Sequence, residues 1–243
     1  MILIVFPHAG GFAGYYSFMK EFSFCQFSDV YIYEYPGRGR KSMEKPCESL
    51  NELSIRAALE LESVIGNQEC VFFGHSMGAL VAYETIKAIF NRQGKMPKLF
   101  IASGEVAPDN YKGVDVDYNS EEAVCNYICS MGGTSAELLE IPEAKDFFVP
   151  IIQMDLKIAS NYTPTHFSEQ PLTEYVLVMY GELDLDITND NIKNWIKVGR
   201  KSLGNKIFSG NHFYMNENQE EFLIYIDQIT RIINEELVSA NVR

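Results

Sequence analysis

Residues 72–84 read FFGHSMGALVAYE, and residues 74–78 within them form a G-x-S-x-G pattern centred on Ser76. The apolar run CVFF (70–73) predicts a strand before the serine, and MGALVAYETIKAIF (77–90) predicts a helix after it. A serine at a tight strand-to-helix turn is the arrangement of a nucleophile elbow, which pushes the hydroxyl out above the sheet. We therefore interpret Ser76 as a nucleophile; the alternative is a serine that only caps a helix.

Short apolar runs that end in glycine or proline recur along the chain and predict further strands. They are rich in Val, Ile, Phe and Tyr and lack strict alternation, which is typical of strands buried on both faces of a parallel sheet. Helical patterns lie between them, at 49–66, 77–94 and 216–235. This alternation predicts one α/β domain over residues 1–243 with a mostly parallel sheet flanked by helices. The other predicted strands are ILIVFP (2–7), DVYIYEYPG (29–37), LFIASG (99–104), YVLVMYG (175–181) and KIFSG (206–210).

Residues 112–170 interrupt the alternation, because they contain helical patterns and no convincing strand. The patterns are SEEAVCNYICSM (120–131), TSAELLE (134–140) with Thr134 and Glu137 spaced as a capping box, and PEAKDFFVPIIQMDLKIASNY (142–162). A helical insertion of this size between two strands predicts a lid. Its apolar side chains are candidates for an acyl pocket, with Met131 and Met154 the flexible members of the set.

A nucleophilic serine needs a histidine base, and His212 is the best placed of the four candidates. It follows the last predicted strand in a Gly-Asn turn, and ligands of open α/β sheets lie at the carboxyl ends of strands. His75 lies inside the elbow, His166 lies in the predicted lid, and His8 follows the first strand. The chain order serine, acid, histidine is that of the hydrolase fold, so we predict His212 as the base.

The acid that orients the histidine should follow a strand between Ser76 and His212. The stretch YGELDLD (180–186) offers Asp184, and Asp186 is the alternative. Two backbone N–H groups should stabilise the oxyanion. That of Met77 follows from the elbow, and the second comes from FPHAGG (6–11), from either Ala9 or Gly10.

Charge and cysteine content exclude several other classes of function. The 243 residues include 33 acidic and 20 basic side chains, a formal charge of −13, which disfavours general binding of nucleic acid. Five cysteines without paired spacing, and only four histidines, argue against a metal site. The apolar start MILIVF (1–6) is too short for a signal peptide or a membrane span, so we expect a cytoplasmic protein.

Seven motifs, in this order along the chain, resemble those of type II thioesterases, the stand-alone hydrolases that accompany nonribosomal peptide and polyketide synthases. They are FPHAGG, YPGRGRK, FFGHSMGALVAYE, MGGTSAELLE, PIIQMDLKIASNY, YGELD and GNHFYM. The resemblance covers nearly the whole chain. It implies an α/β-hydrolase fold with a helical lid and a triad of Ser76, Asp184 and His212. Family members often carry an additional strand ahead of FPHAGG, and a proline after the acid, so a missing edge strand and the choice between Asp184 and Asp186 stay open.

The resemblance also implies the substrate and the partner. The substrate is an acyl group on the phosphopantetheine thiol of a carrier protein, and no metal or diffusible cofactor is needed. Carrier proteins are usually acidic, so we expect docking on a local basic patch, for which GRGRK (37–41) supplies Arg38, Arg40 and Lys41. We expect a monomer. The alternatives are a carboxylesterase, lipase or acyltransferase on the same fold, and a non-catalytic binding protein that kept the fold.

Overall fold

The computed structural model describes residues 1–132, 141–164 and 170–241, and a parallel sheet runs through them. Its strands are β1 (Ile2–Phe6), β2 (Asp29–Ile32), β3 (Cys70–His75), β4 (Leu99–Ser103), β5 (Thr173–Gly181) and β6 (Gly199–Phe208). Their order across the sheet is β2-β1-β3-β4-β5-β6, and every neighbouring pair is parallel. All carboxyl ends therefore meet on one rim, where the sequence placed the site.

Helices connect the strands and cover both faces of the sheet. They are α1 (Ser17–Glu21), α2 (Leu50–Ile65), α3 (Met77–Gln93), α4 (Glu121–Met131), α5 (Pro142–Ser160), α6 (Asn189–Ile192), α7 (Tyr214–Glu217) and α8 (Gln219–Asn241). Short 3₁₀ turns add Ala13–Tyr16, Gly39–Lys41, Pro108–Asn110 and Lys193–Val198. No helix within the described ranges is long and apolar enough to cross a membrane.

Alternate residues of the strands feed two separate apolar cores. In β1, Ile4 and Phe6 pack with α2, α3 and the buried Trp195, whereas Leu3 and Val5 pack with α1, α7 and α8. Burial on both faces explains why the sequence of this strand shows an unbroken apolar run. Each core packs one layer of helices against one face of the sheet. The carboxyl ends of the strands lie between the two layers and continue into loops.

The strands and helices differ from the predictions mainly at their ends. Strand β2 ends at Ile32, before the predicted Gly37, and β6 begins at Gly199, well before the predicted Lys206. Strand β6 forms one edge of the described sheet, and most of its side chains are exposed, so GRKSLGN (199–205) carries no apolar signal. Helix α2 begins as predicted, with Ser49 Oγ accepting a hydrogen bond from the N–H of Glu52 at 3.2 Å.

Helices α4 and α5, called the insertion below, follow β4 and precede β5 along the chain. They pack on each other around a third apolar core of Val124, Ile128, Val149, Ile152 and Leu156. No strand occurs between residues 112 and 164 in the part the structure describes, as predicted. The predicted helix TSAELLE (134–140) lies outside the described residues.

Candidate active site

Ser76 lies at the sharp turn between β3 and α3, as the elbow pattern predicts. Its backbone has a φ of 55° and a ψ of −131°. Among the described residues, it is the one non-glycine residue with a positive φ. A backbone held in that region costs on the order of 1–3 kcal/mol and persists only where its surroundings enforce it. Its N–H donates to the carbonyl of Ser103 at the end of β4, at 2.8 Å.

The two glycines of the motif are required by close approach of the backbone. A Cβ on Gly74 would lie 2.3 Å from the carbonyl oxygen of Gly78, and a Cβ on Gly78 would lie 2.2 Å from that of Phe6. Both distances are far shorter than carbon–oxygen contact allows. The first turn of α3 therefore packs directly on the ends of β1 and β3, which fixes the direction of the Ser76 side chain.

His212 and Asp184 form a buried hydrogen-bonded pair on the same rim. His212 Nδ1 lies 2.8 Å from Asp184 Oδ2, and both residues are 6% exposed. Asp184 stands on the loop after β5 and His212 on the loop after β6. The loops touch at Gly181, where a Cβ would lie 2.1 Å from the carbonyl oxygen of Asn211. A histidine bonded through Nδ1 keeps Nε2 for proton transfer.

Asp186, the alternative acid, has a different position. Its N–H donates to Asp184 Oδ1 at 3.3 Å, and its own side chain is exposed and lines a cavity. The structure therefore brings Asp184, and not Asp186, to the histidine.

A cavity of about 510 Å³ opens on the rim, and Ser76 and His212 both line it. Its walls come from the strand-end loops on one side and from the insertion on the other. The predicted oxyanion donors, Ala9 and Met77, line the cavity as well. The apolar and aromatic lining includes Phe12, Tyr127, Ile128, Met131, Phe148, Ile152, Leu156 and Ile187. Such a wall suits an apolar acyl chain next to a reacting carbonyl.

Gly10, the alternative oxyanion donor, already has an acceptor. Its N–H donates to Asp155 Oδ2 of α5 at 2.7 Å. Its φ is +77°, and a Cβ there would lie 2.3 Å from Ile152 Cγ1, so only glycine fits between this loop and α5. This leaves the N–H of Ala9 as the candidate from the loop after β1.

Two further histidines surround the site and are held neutral. His8 Nδ1 pairs with the hydroxyl of Tyr16 at 2.8 Å, and burial, helped by His212 and Arg38, lowers the pKa of His8 to about 3. Burial, with smaller effects of His212 and His8, also lowers the pKa of His75 well below its usual value. Both rings are therefore uncharged neighbours of the His212 imidazole, and the ring of His75 lies 4.8 Å from it, centre to centre. His166 lies outside the described residues.

The position of Arg38 contradicts its predicted place in a basic docking patch. It is 2% exposed, and its guanidinium forms a two-pronged ion pair with Asp155 at 2.6 and 2.5 Å. Arg38 therefore cannot contact a partner at the surface. Arg40 is exposed and lies over the ring of Tyr31, with its Nη2 donating to the carbonyl of Ile32.

Lys41 and the two lid methionines are also placed by the structure. The ammonium of Lys41 pairs with Glu60 and lies 4.0 Å from the centre of the Tyr33 ring, so this cation is partly neutralised.

Met131 lines the cavity as predicted for a pocket residue. Met154 does not: it packs against the core on the α2–α3 side of the sheet, so its predicted role in the pocket is wrong.

Glu105 is a cavity residue that the sequence analysis missed. It follows β4 and lines the cavity, and its Oε1 accepts the N–H of Val106 at 2.9 Å. Burial, with added repulsion from Asp184 and Asp186, raises the pKa of Glu105 from 4.5 to about 8. Its position at the carboxyl end of a predicted strand, directly after Gly104, was the signal that could have found it.

A parallel sheet, a strained serine after β3 and a histidine–aspartate pair on the same rim define a serine hydrolase of the α/β-hydrolase class. A family model described as a thioesterase domain matches residues 1–230, so the chain belongs to the thioesterase family and acts on thioesters. This confirms the family membership predicted from the seven motifs.

Individual relatives agree with this assignment. The chain is 29% identical to thioesterase PikA5 of Streptomyces venezuelae over 219 residues, 90% of this chain and 77% of that protein. It is 24% identical to the gramicidin S biosynthesis protein GrsT of Aneurinibacillus migulanus over 233 residues, 95% of this chain and 89% of that protein.

Solved structures give the same fold. The prodiginine-pathway thioesterase RedJ of Streptomyces coelicolor aligns with a TM-score of 0.81 at 26% identity, covering 94% of this chain and 89% of that one. ClbQ, from the colibactin pathway, aligns with a TM-score of 0.84 at 23% identity, covering 96% and 98% of the two chains. The predicted α/β-hydrolase fold is thereby confirmed.

Proposed function

We propose that this enzyme hydrolyses acyl and aminoacyl thioesters on the phosphopantetheine arm of synthase carrier proteins, and so clears misloaded carriers. The observation that carries the proposal is the 2.8 Å pair of His212 and Asp184, together with the cavity that His212 and Ser76 both line. The pathway assignment is supported by GrsT, a gramicidin S biosynthesis protein, and by RedJ, a thioesterase of prodiginine biosynthesis.

In the first half-reaction, His212 Nε2 takes the proton of the Ser76 hydroxyl while Oγ attacks the thioester carbonyl carbon. The N–H groups of Met77 and Ala9 donate to the oxyanion. Asp184 holds the imidazole in the required tautomer and stabilises its cation. When the tetrahedral intermediate collapses, the carbon–sulfur bond breaks, the sulfur takes the proton from His212, and the acyl group remains on Ser76.

In the second half-reaction, water enters from the cavity and His212 removes one of its protons as the oxygen attacks the acyl-serine carbonyl. Collapse of this intermediate breaks the ester bond, returns the proton to Ser76 Oγ and releases a carboxylic acid. Every proton is carried by His212, so the proposed chemistry needs no metal and no cofactor beyond the phosphopantetheine arm of the substrate.

The carrier protein must reach this rim despite the charge of −13 on the enzyme. Of the predicted basic residues, Arg40 offers its charge at the surface and Lys41 shares its charge with Glu60. We propose that Arg40, with Lys41 beside it, meets the acidic carrier and that the enzyme acts as a monomer in the cytoplasm. Neutralising a local acidic patch of the carrier would offset the long-range repulsion.

A panel of carrier proteins, each loaded with a different acyl or aminoacyl group, tests the proposal. We expect the wild type to release several of these groups, and Ser76→Ala to lose on the order of 10⁴–10⁶-fold in kcat with an unchanged Tm. Oxygen esters of the same acyl groups are the comparison that separates a thioesterase from a lipase. Retained turnover by Ser76→Ala, or preference for oxygen esters, would overturn the proposal.

A further inference from the structure

The loop that carries Ala9 is held between the insertion and the body of the enzyme by one carboxylate. Asp155 of α5 accepts from the N–H of Gly10 at 2.7 Å and from both terminal nitrogens of Arg38 at 2.6 and 2.5 Å. The same Nη1 of Arg38 donates to the carbonyl of Gly11 at 3.2 Å. Asp155 is 1% exposed and Arg38 is 2% exposed, so water replaces none of these bonds.

Apolar contacts hold the same loop from the insertion side. Ile152, one turn before Asp155, fills the space beside Gly10 that a side chain would need. The ring of Phe12 lies 5.9 Å from the ring centres of both Phe147 and Phe148 of α5. On the opposite side, the hydroxyl of Tyr35 donates to the carbonyl of Pro7 at 2.7 Å. The loop from Pro7 to Phe12 is therefore clamped at both ends and at its middle.

The position of the clamp matters because Gly10 directly follows Ala9. The N–H groups of Gly10 and Ala9 lie on the two peptide planes that meet at the Cα of Ala9, so holding the Gly10 N–H on Asp155 restrains the position of that Cα and, with it, the position of the Ala9 N–H. Gly10 itself has a φ of +77°, a region in which glycine moves with little resistance. The N–H of Gly11 donates to the carbonyl of His8 at 2.9 Å and closes this turn from within the loop, whereas Asp155 is the group of the insertion that bonds the peptide between Ala9 and Gly10.

A buried ion pair contributes little net stability, because desolvation offsets the attraction between its charges. The pair of Arg38 and Asp155 is thus better explained by its bonds to the backbone of Gly10 and Gly11, which orient the loop, than by a gain in folding stability.

We propose that Asp155 is a positioning residue that sets the oxyanion loop, so that the oxyanion hole is complete only when helix α5 is seated. The inference rests on the proposed function, since it takes Ala9 as an oxyanion donor. It adds that this donor depends on a side chain of the insertion that touches neither substrate nor Ser76.

Two double variants test the proposal while avoiding an orphaned buried charge. Arg38→Met with Asp155→Asn keeps an oxygen that can accept from Gly10, whereas Arg38→Met with Asp155→Leu keeps the side-chain size but removes the acceptor. Both lack the ion pair and the Arg38 bond to Gly11. The two variants therefore differ in the side chain at position 155, which can accept from the Gly10 N–H in one and cannot in the other.

With a small soluble acyl thioester, we expect the Leu variant to lose about 10²-fold in kcat relative to the Asn variant, with similar KM, the loss typical of one oxyanion donor. An acyl trifluoromethyl ketone, which forms a tetrahedral oxyanion on Ser76, should lose affinity by the same factor. The matching thioether, which has no carbonyl to attack, should bind both variants equally. Glu121→Gln, which removes the ion pair between Lys145 and Glu121 within the insertion, is the control and should leave all three values unchanged.

Equal kcat and equal ketone affinity in two folded double variants would overturn the proposal. So would parallel losses of ketone and thioether affinity, because they would show a damaged cavity and not a displaced donor. If both double variants unfold, the single variants Asp155→Asn and Asp155→Leu, compared on their folded fractions, decide in the same way, because only the first keeps an acceptor for the Gly10 N–H. Failure of the proposed function is recognised separately, because either Ser76→Ala would remain active or the wild type would prefer oxygen esters, and neither result involves position 155.

Discussion

Asp184 and Asp186 lie two positions apart, yet they differ in burial and in hydrogen bonding. Asp184 is buried and bonded to His212, and its second oxygen accepts the N–H of Asp186. The side chain of Asp186 is exposed and lines the cavity. A carboxylate that orients a histidine must be held in one position and shielded from water. Of the two aspartates, Asp184 meets both conditions.

We predict that Asp184→Asn lowers kcat by on the order of 10⁴-fold, because an amide can hold the wrong tautomer of His212. Asp186→Asn carries the same chemical change on the neighbouring turn and should retain most of the activity. Steady-state kinetics with a soluble acyl thioester measures both. Comparable losses in the two variants would contradict the assignment of Asp184.

Glu105 gives the cavity a pH-dependent contribution to stability. Its pKa in the folded protein is raised from 4.5 to about 8, so the folded protein holds this proton more tightly than the unfolded chain. The resulting stabilisation is complete below pH 4.5 and is lost as pH rises to about 8. Above that pH, the folded protein carries a half-buried charge that Asp184 and Asp186 repel.

Glu105→Gln should therefore raise Tm at pH 9 and have a smaller effect at pH 5. Differential scanning calorimetry at the two pH values gives the comparison. Glu182→Gln, an exposed carboxylate on the loop after β5, is the matched control and should not show this difference. An equal effect of Glu105→Gln at both pH values would mean that Glu105 is not buried as a proton-bound acid.

The residues that could be predicted from the sequence are those that directly follow a strand of the parallel sheet. Ser76, Asp184 and His212 each follow a parallel strand, and parallel strands bring their carboxyl ends together. Arg38 was misplaced because its partner Asp155 is 117 positions away, in another segment, and a charged loop without a visible partner looks solvated. Glu105 obeys the same rule as the other site residues and could have been found by it.

Among the elements, the insertion is distinct because it has an apolar core of its own. Val124 of α4 is fully buried against Val149, Ile152 and Leu156 of α5, apart from the two cores that flank the sheet. The sequence predicted the two helices from the helical patterns of residues 120–131 and 142–162. It could not predict which of their side chains face the cavity, since Met131 and Met154 look alike in sequence but lie in different environments.

A separate core predicts that the insertion opens independently of the sheet. Val124→Ala should weaken the insertion by roughly 2 kcal/mol and speed hydrogen exchange in α4 and α5, with little change in β3 and β4. Native-state exchange followed by mass spectrometry resolves these segments. Val71→Ala, equally buried within β3, is the comparison and should speed exchange across the sheet. Equal acceleration of all segments by Val124→Ala would show that insertion and sheet open together.

For the molecule as a whole, charge sets how it can meet an acidic partner. The net charge of −13 repels such a partner at long range, so local cations on the rim must offset it. Burial of Arg38 leaves Arg40 as the exposed cation of the predicted patch. The two arginines stand two residues apart in GRGRK, and nothing in that pattern distinguishes the buried one from the exposed one.

We predict that Arg40→Glu raises KM for a carrier-bound acyl group by about tenfold at low salt, with a weaker effect at high salt. KM for a small soluble thioester should stay unchanged, because the cavity is not altered. Arg92→Glu makes the same charge change near the C-terminal end of α3, away from the strand-end rim, and serves as the control. Equal effects of the two variants would indicate that only net charge matters.

Strand β6 has one further consequence, for behaviour at high concentration. An edge strand offers a row of free peptide groups to which an identical strand of another copy could add, the first step of fibre growth. Charged side chains line this margin: Arg200 is paired with Glu174, Lys206 is paired with Glu221, and the ammonium of Lys201 lies 5.3 Å from the centre of the Tyr175 ring. An added strand would have to desolvate them. The polar composition that hid the start of β6 in the sequence thus opposes strand addition at this edge of the described sheet.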